Sequence, residues 1–115
     1  MKLQYYLKKN NIVYEQQKRF DWLGLQRLNF YLPDYNIVIE YQGGQHFRSV
    51  EYFGGEEKFK KRQELDERKY NLCKDNNVKI FYYSTEKHLP KSYFGTIYRG
   101  KDILIKEMYN YDNKQ

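Results

Sequence analysis

Residues 27–42 read RLNFYLPDYNIVIEYQ, and this stretch decides the fold. The alternation at its start predicts a strand whose apolar face holds Leu28, Phe30 and Leu32. The run 36–42 predicts a second strand, and the PDYN sequence between the two strands is typical of a tight turn. The stretch therefore predicts a β-hairpin.

The second strand of this hairpin carries an acid in an otherwise apolar run. The period of two places Glu40 and Gln42 on the face opposite Ile37 and Ile39. Acidic side chains are seldom fully buried without a partner. Glu40 is therefore either a strand-end acid that emerges into water or a functional carboxylate, with Asn29 of the first strand close to it.

The segments around the hairpin complete an α/β (α+β) pattern. In chain order the predicted elements are a helix over 3–9, a strand over 12–20, the hairpin, a helix from Gly54 to Asp75, a strand over 78–83 and a helix over 101–109. This order predicts one domain over residues 1–115, with a central mixed sheet flanked by helices.

Composition narrows the class of protein. The chain has 115 residues, of which 40% are hydrophobic and 19% aromatic, so a packed core is expected. The sequence has no apolar run of the roughly 18–20 residues that a membrane span needs and no apparent signal peptide at its start. We therefore expect an intracellular, cytoplasmic protein without a membrane partner.

Cysteine content and charge add two further constraints. The single Cys73 cannot form an internal disulfide, and with two histidines it leaves no structural zinc cluster. The formal net charge of +6 favours a polyanionic partner, although many small basic proteins bind no nucleic acid. Charge therefore ranks the functional hypotheses without deciding between them.

The long helix carries a stripe with a charge in its middle. Phe59, Gln63, Asp66, Tyr70 and Cys73 recur at steps of 4, 3, 4 and 3, so they form one face that should contact the sheet. A charge on a buried face is costly unless it is paired or bound to a metal.

The alternative is a rotated stripe, in which Asp66 pairs with Arg62 or Lys69 at the surface. His46, which follows the glycine break at the end of the hairpin, is by itself most simply explained as a solvated loop residue. Taken together, however, the polar residues map to one end of the sheet beneath the helix, where they form one convergent cluster: Asn29, Glu40, Gln42, His46 and Asp66.

At these residues the chain strongly resembles the PD-(D/E)XK nuclease superfamily. The resemblance lies in the order and spacing of residues 28–36, 39–47 and 50–57 and of the helix that carries Asp66, and it covers about residues 10–85. The closest branch contains very-short-patch repair endonucleases and related phage and homing enzymes. It implies a restriction-endonuclease-like αβββαβ core, a DNA endonuclease activity and a phage or bacterial context.

The resemblance also implies a metal site. Phosphodiester hydrolysis in this superfamily uses Mg²⁺ or Mn²⁺, and Mg²⁺ prefers oxygen ligands. The implied ligands are Asn29, Glu40, the backbone carbonyl of Tyr41, and Asp66. Asn29 stands where the superfamily nearly always has aspartate, so we expect weaker metal binding and impaired activity. The acid that the superfamily often has on its first helix is absent before Glu15, which is a poor substitute.

The implied catalytic set comprises Asn29, Glu40, Gln42, His46 and Asp66. Gln42 occupies the position of the superfamily's usual lysine, and some members carry glutamine there. His46 would act as a general base or protonate the leaving group.

Basic residues near the start of the long helix are candidates for binding nucleic acid. They are Arg48, Lys58, Lys60, Lys61 and Arg62, and they would contact backbone phosphates. The alternative is an ordinary solvated helix face. The Tyr82-Tyr83 pair offers rings for base stacking or, alternatively, for the core.

Two other functional hypotheses remain open at this point. One is a catalytically inactive nuclease fold that binds DNA or a protein partner. The other is an RNA-directed nuclease, which shares every one of these residues. A chain of 115 residues has little room for a separate sequence-reading domain, so we expect specificity to come from a homodimer, a partner or a fused domain.

Overall fold

The computed structural model describes residues 2–43, 55–87 and 93–113. In chain order, the elements of this part of the chain are α1 (Lys2–Lys9), β1 (Glu15–Lys18), a 3-10 helix (Asp21–Leu23), β2 (Leu28–Leu32), β3 (Ile37–Tyr41), α2 (Gly55–Asp75), β4 (Lys79–Tyr83), β5 (Ile97–Tyr98) and α3 (Lys101–Asn113). The strands form one sheet in the order β1-β2-β3-β4-β5. The first three pair antiparallel, and β4 and β5 are added in parallel. The predicted α+β class with a mixed sheet is confirmed.

The hairpin is confirmed and is closed by the side chain of its last turn residue. Asn36 has a φ of 54°, in the left-handed region that asparagine tolerates better than most residues. Its Nδ2 donates to the carbonyl of Asn77 at 2.9 Å, and its Oδ1 accepts from the Tyr31 hydroxyl at 2.7 Å. The turn between β2 and β3 is therefore tied both to β2 and to the end of α2.

Helices cover both faces of the sheet, and each face has its own apolar core. α1 and α3 pack on the first face, where the buried residues include Leu7, Phe30, Ile39, Phe81, Leu104 and Met108. α2 packs on the second face, where they include Leu23, Leu28, Val38, Cys73, Ile80 and Tyr82. The predicted division of β3 into an Ile37 and Ile39 face and a Val38 face is confirmed.

The prediction that Leu28 shares a face with Phe30 and Leu32 is wrong, because Leu28 belongs to the second core. The paired positions of β2 and β3 run from Leu32 to Phe30. At Asn29, hydrogen bonds from side chains replace the regular ladder. The alternation therefore breaks at Asn29, and the side chain beyond it packs beneath α2.

α2 connects the parallel strands β3 and β4 and brings its predicted stripe to the sheet. Asp66 and Cys73 are its buried residues, as the spacing predicts. The helix ends before Asn77, which has a φ of 62°, and α1 ends before Asn11, which has a φ of 57°. Both predicted asparagine stops are confirmed, since asparagine at a helix end adopts the left-handed conformation at low cost.

Two boundaries and one strand differ from prediction. β1 spans only Glu15–Lys18 of the predicted strand over 12–20, since only these residues pair with β2, its one neighbour among the described strands. β5 was not predicted, since two residues are too short to show a period. α3 continues to Asn113 instead of ending near Tyr109. Within the described ranges, none of the helices combines the length and the apolar character required to cross a membrane.

Asn36→Ala should lower the free energy of unfolding by about 2–3 kcal/mol, since it removes two hydrogen bonds and keeps a β-carbon at positive φ without the polar side chain that makes this conformation tolerable. Asn36→Gly should cost about 1–2 kcal/mol, because glycine relieves the backbone cost and loses only the hydrogen bonds. Urea unfolding of both variants measures the difference. Equal losses would show that the backbone conformation contributes nothing.

Candidate active site

The candidate site lies on the sheet face that α2 covers. Asn29 on β2 contacts Glu40 on β3, and Glu40 pairs in register with Tyr82 on β4. α2 contributes Asp66 and, one turn later, Lys69. Cys73, further along α2, belongs to the apolar second core on the same face of the sheet. The site is therefore built from three neighbouring strands and one helix.

Glu40 is a buried, fully partnered carboxylate. It is only 4% exposed. Lys69 Nζ donates to its Oε1 at 2.7 Å, and the backbone N–H of Asn29 donates to its Oε2 at 2.6 Å. Each carboxylate oxygen thus has one donor. The alternative of a strand-end acid in water is wrong.

Asn29 and Glu40 replace part of the backbone ladder between β2 and β3. While the Asn29 N–H donates to the Glu40 side chain, Asn29 Oδ1 accepts from the backbone N–H of Tyr41 at 2.8 Å. The predicted proximity of Asn29 and Glu40 is confirmed. A carboxylate at position 29 would keep the acceptor for Tyr41 and add a negative charge beside Glu40.

Asp66 faces the protein interior with a hydroxyl partner. It is 7% exposed, and Tyr93, which precedes β5, donates from its hydroxyl to Asp66 Oδ2 at 2.5 Å. The alternative of a surface carboxylate is wrong. Lys69, one of the two surface partners considered for Asp66, instead makes its ion pair with Glu40.

Burial controls the ionisation of the site. Loss of hydration raises the pKa of Glu40 above its usual value of 4.5; Lys69 and the Asn29 N–H oppose this rise, and the charge of Asp66 adds to it. Burial, followed by the charge of Glu40, raises the pKa of the Cys73 thiol to about 12. Burial also raises the pKa of Tyr93, and the hydrogen bond that its hydroxyl donates to Asp66 raises it further. The thiol and the phenol therefore stay protonated at neutral pH, and Cys73 is no nucleophile.

Tyr82 brings a buried hydroxyl into this region. The side chain is 2% exposed, and no hydrogen-bond partner for its hydroxyl lies among the described residues. Burial raises its pKa first, and the charges of Asp66 and Glu40 raise it further, so the hydroxyl lies within their electrostatic reach. Tyr82 and Tyr83 are both buried, so these rings belong to the core and cannot stack on bases.

The remaining predicted residues divide into three groups. Gln42 is buried, and its backbone N–H donates to the Tyr83 carbonyl at 2.9 Å while its own carbonyl accepts from Ser84 Oγ at 2.6 Å. His46 and Arg48 lie outside the described residues. Glu15 pairs with Lys18 in β1 and is exposed.

The predicted basic residues of α2 are accessible to a ligand. Lys58, Lys60 and Lys61 are exposed, and they share a shallow surface groove with Glu57 and Glu64. Arg62 is half-buried, and its charge acts on the Tyr93 phenol at the site. The first half of α2 therefore exposes lysines interspersed with the acids Glu57 and Glu64.

Lys69 and Tyr93 are the two site residues that the sequence did not predict as such. Lys69 lies three residues after Asp66 and four before Cys73, so it shares their helix face. That spacing was a usable signal. Tyr93 comes from a segment with no periodic pattern, and only the tertiary structure brings it to Asp66.

The described residues contain no group of three or more His, Cys, Asp or Glu side chains placed to hold a metal ion. They do supply two buried carboxylates, Glu40 and Asp66, close enough for the charge of one to act on the other. They also bring amide and hydroxyl groups from Asn29 and Tyr82 to the same face of the sheet.

Comparison with known proteins gives a similarity over part of the chain. No protein family matches the chain. The chain is 35% identical over 54 residues to the "uncharacterized protein 307L" of Invertebrate iridescent virus 6. The matched segment covers 46% of this chain and 27% of the viral protein, so this chain spans about a quarter of that relative. The name of the relative states no activity, so a functional assignment must depend on the site.

Glu40→Gln should change how stability depends on pH. Because the pKa of Glu40 is raised when folded, the folded state binds more protons than the unfolded state as pH rises above 4.5. The contribution of Glu40 to the free energy of unfolding should therefore fall as pH rises through this window. Urea unfolding of wild type and Glu40→Gln across about pH 4–8 measures it. If the free energy of unfolding of wild type instead rises relative to that of Glu40→Gln as pH increases, the ion pair with Lys69 lowers the pKa of Glu40 more than burial raises it.

Lys69→Met should lower the free energy of unfolding by about 3 kcal/mol at neutral pH, because it leaves the buried Glu40 without its counter-ion. The double variant Glu40→Gln/Lys69→Met should be more stable than Lys69→Met, since no unpaired charge stays buried. Lys74→Met, on the exposed side of the same helix, is the matched control and should change stability by less than about 0.5 kcal/mol. Additive effects of the two site substitutions would contradict the ion pair.

Proposed function

We propose that this protein is a metal-dependent endonuclease that hydrolyses phosphodiester bonds in DNA, with a restriction-endonuclease-like core. One observation carries the proposal: β3 and α2 bury two acids, Glu40 and Asp66, on one face of the sheet in a basic chain. Buried acids are costly, and their electrostatic coupling is typical of sites that bind a cation or transfer protons. The resemblance to the PD-(D/E)XK superfamily supports the same conclusion.

The donor set at this site suits a hard divalent cation. Glu40 and Asp66 are the side chains that would hold Mg²⁺ or Mn²⁺, which take oxygen ligands and need only one or two carboxylates because they retain waters. The hydroxyl of Tyr82 can bond to such a hydrated ion. When bound, the ion would polarise the phosphate and lower the pKa of a coordinated water.

The protein's own groups have separate roles in this proposal. The Asn29 N–H orients Glu40, and the Tyr93 hydroxyl orients Asp66. The Tyr41 carbonyl stays a candidate ligand, and Gln42 and His46 stay candidates for phosphate positioning and proton transfer. Asn29 contributes an amide oxygen without a charge, so the site as it stands should bind a divalent ion weakly.

DNA would be held mainly through its phosphates. The exposed Lys58, Lys60 and Lys61 would attract phosphates, which gives an affinity that does not depend on the DNA sequence. Sequence selection would then depend on a second copy of the chain, a partner or a fused domain.

A second candidate function is a catalytically inactive nuclease fold that binds DNA or a protein. A specific observation favours it: Lys69 already neutralises Glu40, and position 29 is an uncharged amide. A stable ion pair in place of a metal ion is a simple way for such a site to lose activity while the fold persists.

Asn29→Asp should raise cleavage of supercoiled plasmid in Mg²⁺ or Mn²⁺ by at least about tenfold, equivalent to about 1.4 kcal/mol in the barrier. The aspartate keeps the acceptor for the Tyr41 N–H and adds the charge that a divalent ion needs. Without metal the variant should be slightly less stable than wild type, and added Mn²⁺ should restore the loss.

Glu40→Ala in the Asn29→Asp background should abolish cleavage, which serves as the control for contaminating nucleases. Absence of cleavage by both wild type and Asn29→Asp, with no thermal stabilisation by Mn²⁺, would select the inactive module over the enzyme.

Lys60→Glu/Lys61→Glu should weaken binding to all DNA sequences alike. The slope of log K against log salt should become less negative by about 0.9 for each phosphate that the variant no longer binds. Fluorescence anisotropy with two unrelated duplexes at several salt concentrations measures both effects. Weaker binding to one duplex alone would contradict the proposed role of these lysines in binding phosphates.

A further inference from the structure

Lys69 is the cation that pairs with Glu40 in this structure. Its Nζ lies 2.7 Å from Glu40 Oε1, and its side chain as a whole is 19% exposed. It follows Asp66 by one helical turn, and the Asn29 N–H occupies the other oxygen of Glu40. A divalent ion that takes the place of Lys69 on Oε1 displaces this ammonium.

Displacement leaves Lys69 close to a new positive charge. Two cations bound to the same carboxylate repel each other, and a divalent ion repels an ammonium twice as strongly as a univalent ion at the same distance. The four-carbon stem of lysine lets the ammonium move several ångströms while α2 stays in place. Its charge then requires a new anion, and a phosphodiester at the site supplies one.

We propose that Lys69 is a phosphate-binding residue of this site: it is held by Glu40 in the free protein, and it contacts a non-bridging oxygen of the nucleic-acid backbone once it is released from Glu40. This inference rests on the proposed function for the event that releases it, the binding of a divalent ion. The phosphate contact itself can be tested without metal, because Glu40→Gln releases the same ammonium.

The test compares Lys69→Met in two backgrounds by duplex-DNA binding in EDTA across a salt series. In the Glu40→Gln background, Lys69→Met should make the slope of log K against log salt less negative by about 0.9, the value for one phosphate. In the wild-type background it should leave the slope unchanged, since Glu40 already neutralises Lys69. Lys74→Met in the Glu40→Gln background is the matched control and should leave the slope unchanged.

The Glu40→Gln/Lys69→Met variant removes both members of the ion pair, so it buries no unpaired charge and is expected to fold. Circular dichroism checks this before binding is measured. An unchanged slope on Lys69→Met in the Glu40→Gln background, equal to that for Lys74→Met, would overturn the proposal. So would the same change of slope in both backgrounds, because Lys69 would then act as an ordinary surface charge.

A third arm separates this inference from the proposed function. With wild-type Glu40 present, Ca²⁺ as a non-catalytic divalent ion should make the slope sensitive to Lys69→Met, as in the Glu40→Gln background. If the metal-free arm gives the expected change while Ca²⁺ and Mn²⁺ neither bind nor stabilise the protein, the phosphate contact holds and the metal-dependent function fails. If Ca²⁺ binds but Lys69→Met leaves the slope unchanged in every background, the phosphate contact of Lys69 fails while the proposed metal site stands.

Discussion

The buried carboxylate of Glu40 is the constraint on which the rest of the structure depends. A negative charge that is 4% exposed must be compensated inside the protein, and its two oxygens receive Lys69 from α2 and the Asn29 N–H from β2. These contacts join the end of the hairpin to the helix that crosses from β3 to β4. The position of α2 on the sheet is thus specified by a polar interaction as well as by the apolar second core, and fold and site share one ion pair.

The sequence predicted the hairpin, the long helix and the asparagine helix ends because each has a local cause. Turn-forming residues, the strand period of two and the helix period of 3.6 residues all depend on neighbours in the chain. Asn36 and Asn77 adopt their left-handed conformations for local steric reasons. β5 and the limits of β1 have no such cause. They are defined by pairing with β4 and β2, so a single sequence carries little signal for them. Leu28 is an intermediate case. The alternation of apolar residues in β2 is a local signal, but the hydrogen bonds of Asn29 to β3 interrupt it before Leu28.

The candidate site was predictable where a polar residue interrupts an apolar pattern. Glu40 in β3 and Asp66 on the helix stripe are such interruptions, and both are buried. Their partners were not predictable in the same way. The helix spacing places Lys69 on the face of Asp66 and Cys73, but it does not show which acid this lysine pairs with. Tyr93 lies 27 residues from Asp66 and reaches it through a segment without periodicity. Residues that break a pattern are visible in a sequence, whereas residues that satisfy them become visible only in the fold.

If the proposed function and the role proposed for Lys69 hold, the same ion pair links the binding of metal to the binding of nucleic acid. Releasing Lys69 from Glu40 requires free energy, because a buried ion pair is broken and an ammonium must find a new partner. A divalent ion at Glu40 would supply part of that free energy, and a phosphate that accepts the ammonium would supply the rest. Each ligand therefore lowers the cost of binding the other, and the coupling free energy is the same in both directions. A site of this kind binds either ligand weakly alone and both together more tightly, which would confine a reactive metal centre to the complex with nucleic acid.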